Sequence, residues 1–256
     1  MSNSLRMDFS RLFMLKIYNM FAIGVSVVGP VLVNIILWAV GKMMGVPLVC
    51  NMDNFLNYSM TSALYIAIAA TFFLYTEINE GILRNKIVSG KKRTEILLSY
   101  SFTMVVYAVI LQVAAELSTL VSMTALGAKF ILPSWTIVFE MIGIHAVAGV
   151  AIAIFFTVLY CVFGTTRAAM ILPALVAVCS RIGLIYVLDK LYPESGVCTL
   201  TGAKLAVFTF IDRFIPFSYL VTVPHWDLKS YALGCGSMIA LSLLIGIPVF
   251  KRIDVK

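Results

Sequence analysis

Charge is what this sequence has least of. Only 12% of its 256 residues are Asp, Glu, Lys or Arg, whereas a soluble domain carries about a quarter. With 61% hydrophobic residues and a mean hydropathy of +1.01, there is too little polar surface to cover a water-soluble globule. The composition therefore reads as a polytopic membrane protein. Catalytic patterns are also scarce. There are two histidines, no HExxH and no Ser-His-Asp or Cys-His pattern, which argues against a membrane metallo-hydrolase. The five cysteines, Cys50, Cys161, Cys179, Cys198 and Cys235, show no CxxC or other metal-ligand spacing. No metal site is expected. Internal repeats, low-complexity tracts and long linkers are missing as well, so the chain reads as one domain over 1–256.

What is present is a set of apolar runs. A helix needs about 20 apolar residues to cross the hydrocarbon core, and six segments qualify: Ile17–Val40, Leu56–Thr76, Glu95–Leu126, Ser134–Tyr160, Ala168–Leu188 and Tyr231–Phe250. The runs are continuous rather than alternating, which favours helices over strands. No small-residue cleavage site follows the first run, so it is read as a retained span. Pro30 and Pro173 are expected to kink the first and fifth spans.

The formal charge of +7 is read as a topology signal, not as a nucleic-acid footprint. Met1–Lys16, Glu77–Thr94, Cys161–Arg167 and Lys251–Lys256 together carry twelve of the 19 Lys and Arg residues. Gly41–Phe55, Gly127–Pro133 and Asp189–Ser230 form a longer set and carry only six: Lys42, Lys129, Lys190, Lys204, Arg213 and Lys229. By the positive-inside rule the first set is cytoplasmic, and so are both termini. Cys50 and Cys198 then face outward, where a disulfide is open to them, although packing is the expected role of all five cysteines. Leu5, Phe9, Leu12, Phe13 and Lys16 recur near helical spacing, so residues 1–16 are expected to form an amphipathic helix on the inner leaflet.

The most polar stretch is EINEGILRNKIVSGKKRTEI, Glu77 to Ile96. Over Glu77–Val88, read as one helix, Glu80 and Arg84 stand at i,i+4 with the acid first. Gly81 lies between Glu77 and Arg84, at a place where another backbone or protein comes close. Gly90 ends the helix and Thr94 caps the next span. Two readings stand: a solvated basic loop that fixes topology, and a docking elbow for a cytoplasmic partner. The segment SGKK is not the end of a phosphate-binding loop. Asn85 occupies the required first glycine and Lys92 the required Ser or Thr, so any ATP is bound by another chain.

Four ionisable residues fall within or near the ends of spans: Glu116, Glu140, His145 and Arg181. Each needs a partner or water, since a charge at the bilayer centre costs about 2.5–3.5 kcal/mol. At 1.5 Å per residue, Glu140 and Arg181 both lie about 20 Å from the inner surface, a depth at which they can pair. They read either as part of a polar substrate path or as a structural bridge between the fourth and fifth helices. The outer segment 189–230 includes LAVFTFIDRFIPFSYL, which is apolar but interrupted by Asp212, Arg213 and Pro216. It is too broken to span and fits a re-entrant or surface-lying element.

From Glu77 to Ile96, the pattern E-x-x-x-G-x-L-R-N-K-x-x-x-G-x-x-R-x-x-I resembles the loop after the second span of bacterial six-span ABC-2 type ABC transporter permeases. The amphipathic N-terminus, the six spans, the long last outer segment and the F-K-R-x-D tail extend the resemblance weakly over the chain. Ile82 departs from it, standing where such permeases commonly have Thr. The resemblance implies an all-α polytopic fold in the bacterial inner or plasma membrane and a coupling helix in loop 77–94 that sits in a groove of a separate ABC ATPase. Glu77, Glu80, Gly81, Arg84, Asn85, Lys86, Gly90 and Arg93 would form that coupling surface, and Asp212, Arg213 and Pro216 an outer gate. It further implies a second permease copy, identical or not, and ATP with Mg bound on the partner ATPase, with no cofactor in this chain. The transport cargo would be amphipathic or hydrophobic, with a peptide as one instance. The rival readings are an ion- or proton-coupled secondary transporter using its own intramembrane charges, and a non-transporting scaffold or immunity protein.

Overall fold

The protein is described by a computed structural model covering residues 2–14, 22, 24–51, 55, 62–131, 134–163, 170–193, 196, 198–220 and 228–252, with backbone only for 2–5, 13 and 14. Parts of the expected first two spans (17–21, 23 and 56–61), the 161–167 loop beyond 163, and His225 lie outside the described residues.

Nine α-helices account for almost everything described. They are α1 (Ser2–Met14), α2 (Gly29–Met44), α3 (Ser62–Asn79), α4 (Ile82–Val88), α5 (Arg93–Ala125), α6 (Trp135–Phe163), α7 (Leu172–Leu191), α8 (Gly202–Phe214) and α9 (Leu228–Arg252). Six are long and apolar enough to cross a membrane: α2 with the turn before it, α3, α5, α6, α7 and α9. The chain is an all-α multi-pass membrane protein. Its sheet is minimal. Two short parallel strands, β1 (Val49–Cys50) and β2 (Lys129–Phe130), pair Val49 with Lys129 and Cys50 with Phe130, tying the loop after α2 to the loop after α5.

The hub of the bundle is α6, which packs chiefly against α5, α9 and α3. Its sequence explains why. The run HAVAGVAIA presents Ala148, Gly149, Ala151 and Ala153, all buried, and small side chains let neighbouring backbones approach closely. A Cβ on Gly149 would already touch Ile66 of α3, at 3.5 Å. On the α9 side the same device is supplied by Gly246, whose missing side chain leaves room for Val158. In contrast, α7 barely meets α6; it packs on α3 and α8.

The prolines act at helix starts. Pro30 opens α2 and is preceded by a π-helical turn, Gly24–Val28. Proline lacks an N–H and crowds the carbonyl four residues back, and the wider π turn accommodates both effects. Pro173 sits in the first turn of α7 rather than kinking the span, because the helix begins later than the hydropathy suggests. The proline inside a helix is Pro248 of α9.

The segment between α7 and α9 is exposed along most of α8 and buried from Pro216 to Leu220. Phe217, just after α8, packs edge-on against Phe155 and Phe156 of α6, with ring centroids 6.0 and 5.8 Å apart. Those residues lie twenty and twenty-one positions into the 29-residue α6, so the elbow Phe214–Phe217 dips deep into the bundle, past the midpoint of α6. A short 3-10 turn, Ser218–Leu220, follows it, with all three residues buried.

All five cysteines are free. Cys50 is buried in a small cluster with Phe55, Met123 and Val138, and burial pushes its thiol up to about 11, while Cys198 is exposed beside the Lys190 carbonyl. The disulfide open to this pair is not formed. Cys161 and Cys235 do pack in the core, but Cys179 is exposed.

The α6–α9 contact generates a prediction. Gly246→Ala places a methyl into Val158 and should destabilise the protein by about 1–3 kcal/mol, the usual cost of overpacking. Gly236→Ala, at a position with nothing within 4 Å, should be neutral or stabilising. Thermal unfolding in detergent compares the two.

Candidate functional site

The expected single helix Glu77–Val88 is two helices. α3 ends at Asn79, the chain turns at Glu80 and Gly81, and α4 starts at Ile82. Gly81 has φ +70°, a conformation that costs glycine little and other residues much. A Cβ there would meet nothing within 4 Å. Within the chain the glycine is therefore required by the turn, not by a close approach of the chain's own atoms. Gly90, at φ +84°, ends α4 as expected. The next helix begins at Arg93 with Lys92 as its N-cap residue, so Thr94 is already inside it and does not cap.

The two faces of α4 differ sharply. Ile82, Leu83 and Lys86 are buried, whereas Arg84, Asn85 and Val88 are exposed. This follows helical periodicity, since positions i, i+1 and i+4 share a face. Lys86 is only 3% exposed and Glu77 2%. Neither belongs to an outward docking surface; both point into the protein.

They meet Asp8 there, itself 0% exposed. An ammonium has three N–H donors, and Lys86 uses all three: Asp8 Oδ1 at 2.5 Å, Glu77 Oε2 at 2.6 Å and the Tyr100 hydroxyl at 3.1 Å. Its Nζ also lies 4.4 Å from the Tyr100 ring centroid. Tyr100 in turn donates to Glu77 Oε2 at 2.7 Å. The remaining carboxylate oxygens are also satisfied. Ser99 donates to Asp8 Oδ2, and the Arg11 guanidinium lies 3.4 Å from Glu77 Oε1. Two acids and two bases give no net charge. A buried pair is tolerable only when its geometry is good and its other hydrogen-bonding sites are filled, and this cluster meets both conditions. It joins α1, α3, α4 and α5 at one point.

The N-terminal helix is drawn in by the same cluster. Asp8 and Leu12, one turn apart, face the core, and Phe9 packs edge-on to Phe102 of α5 at 6.2 Å. Asp8, Ser99 and Tyr100 were not among the sequence candidates. The available signal was the register of Asp8 with Leu12, which puts an acid on the apolar face of a basic flank.

Arg93 reaches across to the last span. Its guanidinium donates to the carbonyls of Phe250 and Lys251, both at 3.2 Å. These are end-of-helix carbonyls that lack intrahelical partners, so Arg93 ties the start of α5 to the end of α9. Glu80 and Arg84 are both exposed, and no ion pair joins them among the described residues.

The intramembrane charges do not converge. Glu116 is buried on α5 and accepts from Gln112 at 3.0 Å. His145 is fully buried on α6, with no well-formed hydrogen bond to either ring nitrogen among the described residues. Glu140 is exposed, Arg181 is partly buried on α7, and no ion pair links them. The reason is architectural: α6 and α7 scarcely touch, so similar depth does not bring the two side chains together. In the dipping segment, Asp212 is buried and accepts from Tyr192 at 2.9 Å. Burial, with Asp212 beside it, pushes the Tyr192 phenol up to about 12. Pro216 is buried and Arg213 exposed.

No protein-family model, curated protein or solved structure matches the chain.

Removing the lysine tests the cluster. Lys86→Met leaves two buried carboxylates facing each other and should cost about 3–5 kcal/mol, the usual loss when one partner of a buried ion pair is deleted. Arg84→Met, on the exposed face of the same helix, should stay within about 0.5 kcal/mol. Denaturation in detergent reads both.

Proposed function

We propose that the chain is the membrane-spanning subunit of an ATP-driven exporter of the ABC-2 type, with α4 as the helix that receives motion from a separate ATPase. The observation that carries this reading is the two-sidedness of α4. Its inner face is locked by Lys86 to three other helices, while its outer face offers Arg84, Asn85 and an apolar Val88 that is 79% exposed. A loop that only fixes topology has no need to anchor a seven-residue helix so firmly. A helix that must pass displacement into the membrane needs both a rigid root and an open face.

In this reading the docking surface is Glu80, Arg84, Asn85 and Val88, and Glu77 and Lys86 serve as the root. Arg93 extends the connection to α9, so motion of the loop reaches α1, α3, α5 and the last span together. The loop and both termini are cytoplasmic, by the distribution of Lys and Arg. ATP and Mg belong to the partner, and a second permease copy completes the transporter. The cargo is amphipathic or hydrophobic.

Co-purification with a candidate partner ATPase tests the proposal. Arg84→Glu combined with Val88→Glu should reduce association at least tenfold, a loss of about 1.4 kcal/mol or more, with unfolding temperature unchanged because both side chains are exposed. Undiminished association and transport would contradict it.

A further inference from the structure

An apolar groove of about 590 Å³ runs between α6 and α9. Its walls are Phe155 to Phe163 of α6 and Ser237 to Ile245 of α9, and the elbow Phe214–Phe217 closes one end. Each wall covers eight residue steps, about 12 Å, close to half of a hydrocarbon core about 30 Å thick. The rim residues Leu241, Ile245 and Phe163 are exposed, so the groove opens sideways from two membrane-spanning helices. At its other end, six residues beyond Ile245, come Lys251 and Arg252, the exposed last residues of α9.

We infer that this groove binds one anionic phospholipid, with an acyl chain along α6 and α9 and the phosphate at Lys251 and Arg252. Depth, polarity and charge all agree. The closed end by Phe217 lies about 12 Å in from the last residue of α6, deep in the bundle, where a chain terminus belongs. The basic pair lies beyond the end of the groove, where a headgroup belongs, and basic residues attract anionic lipid most strongly near the bilayer surface. The walls are almost entirely apolar apart from Ser237 and Ser242, and Ser237 already donates to Gly234. The dipping segment thereby rests on a lipid as well as on α6, and the site stands whether or not the chain works with an ATPase.

Tryptophan quenching by lipids with brominated acyl chains tests this in the intact protein. With Trp38, Trp135 and Trp226 replaced by Phe, one reporter is placed in the groove by Leu241→Trp and another on the exposed face of α2 by Ile36→Trp. Brominated phosphatidylglycerol should compete for the groove reporter at least roughly fivefold better than brominated phosphatidylcholine, the worth of one basic residue near a bilayer surface. The α2 reporter should show no preference. Lys251→Gln with Arg252→Gln, both at exposed positions, should abolish the preference. Equal quenching by both lipids at Leu241→Trp would overturn the inference. So would weak quenching there accompanied by a disulfide between copies carrying Leu241→Cys, which would mean that a second copy covers the groove.

Discussion

A single ammonium group holds one end of this protein together. Lys86 arrives on a seven-residue helix too short to be stable alone. It meets an acid from the N-terminal helix, an acid from the end of α3 and a phenol from α5. Because those partners are buried and fully bonded, none can move without exposing a charge or leaving a polar group unsatisfied. The position of α4, the docking of α1 and the junction between α3 and α5 therefore depend on one another. Arg93, gripping the last carbonyls of α9, extends that dependence to the final span.

The rest of the bundle is built on a different principle. Away from the cluster, packing is set by where small residues allow close approach, and α6 carries a compact buried run of them in Ala148, Gly149, Ala151 and Ala153. That makes α6 the shared neighbour of α3, α5 and α9, and leaves α2, α7 and much of α9 with broad apolar faces turned outward. The segment before α9 uses the same opening, sending Phe217 against the aromatic pair Phe155 and Phe156. Charged residues within the spans are scattered across this architecture rather than gathered by it, so no joint role for Glu116, Glu140, His145 and Arg181 emerges from their geometry.

The spans were legible because their signal is hydropathy, which depends on local sequence alone; among the described residues all six apolar runs correspond to helices. The interruption near Pro216 was legible for the same reason. What sequence could not resolve was the direction in which polar residues point. In the loop 77–94, Glu77 and Lys86 look as solvent-facing as Glu80 and Arg84. Glu77 faces inward from its place on α3, and the turn at Gly81, which sets α4 relative to α3, brings Lys86 to meet it. Likewise, helical depth put Glu140 level with Arg181, but which helices are neighbours depends on tertiary packing, and α7 lies against α3 and α8 instead. Asp8 belongs to no motif, and its one signal is its register with Leu12 on the apolar face of a basic flank.

The most direct measurement of the central claim is hydrogen exchange across α4 when the cluster is broken from a distance. In Asp8→Ala the altered residue lies on α1 and the α4 sequence is untouched. If the lysine anchor fixes this helix, amides of residues 82–88 should exchange at least about tenfold faster than in the unaltered protein, because local opening becomes easier by about 1.4 kcal/mol or more. The amides of α8, which packs on α7, α9 and the turn after it rather than on the cluster's helices, should be unaffected. Unchanged exchange in 82–88 would show that α4 is held by its apolar contacts alone and would contradict the account.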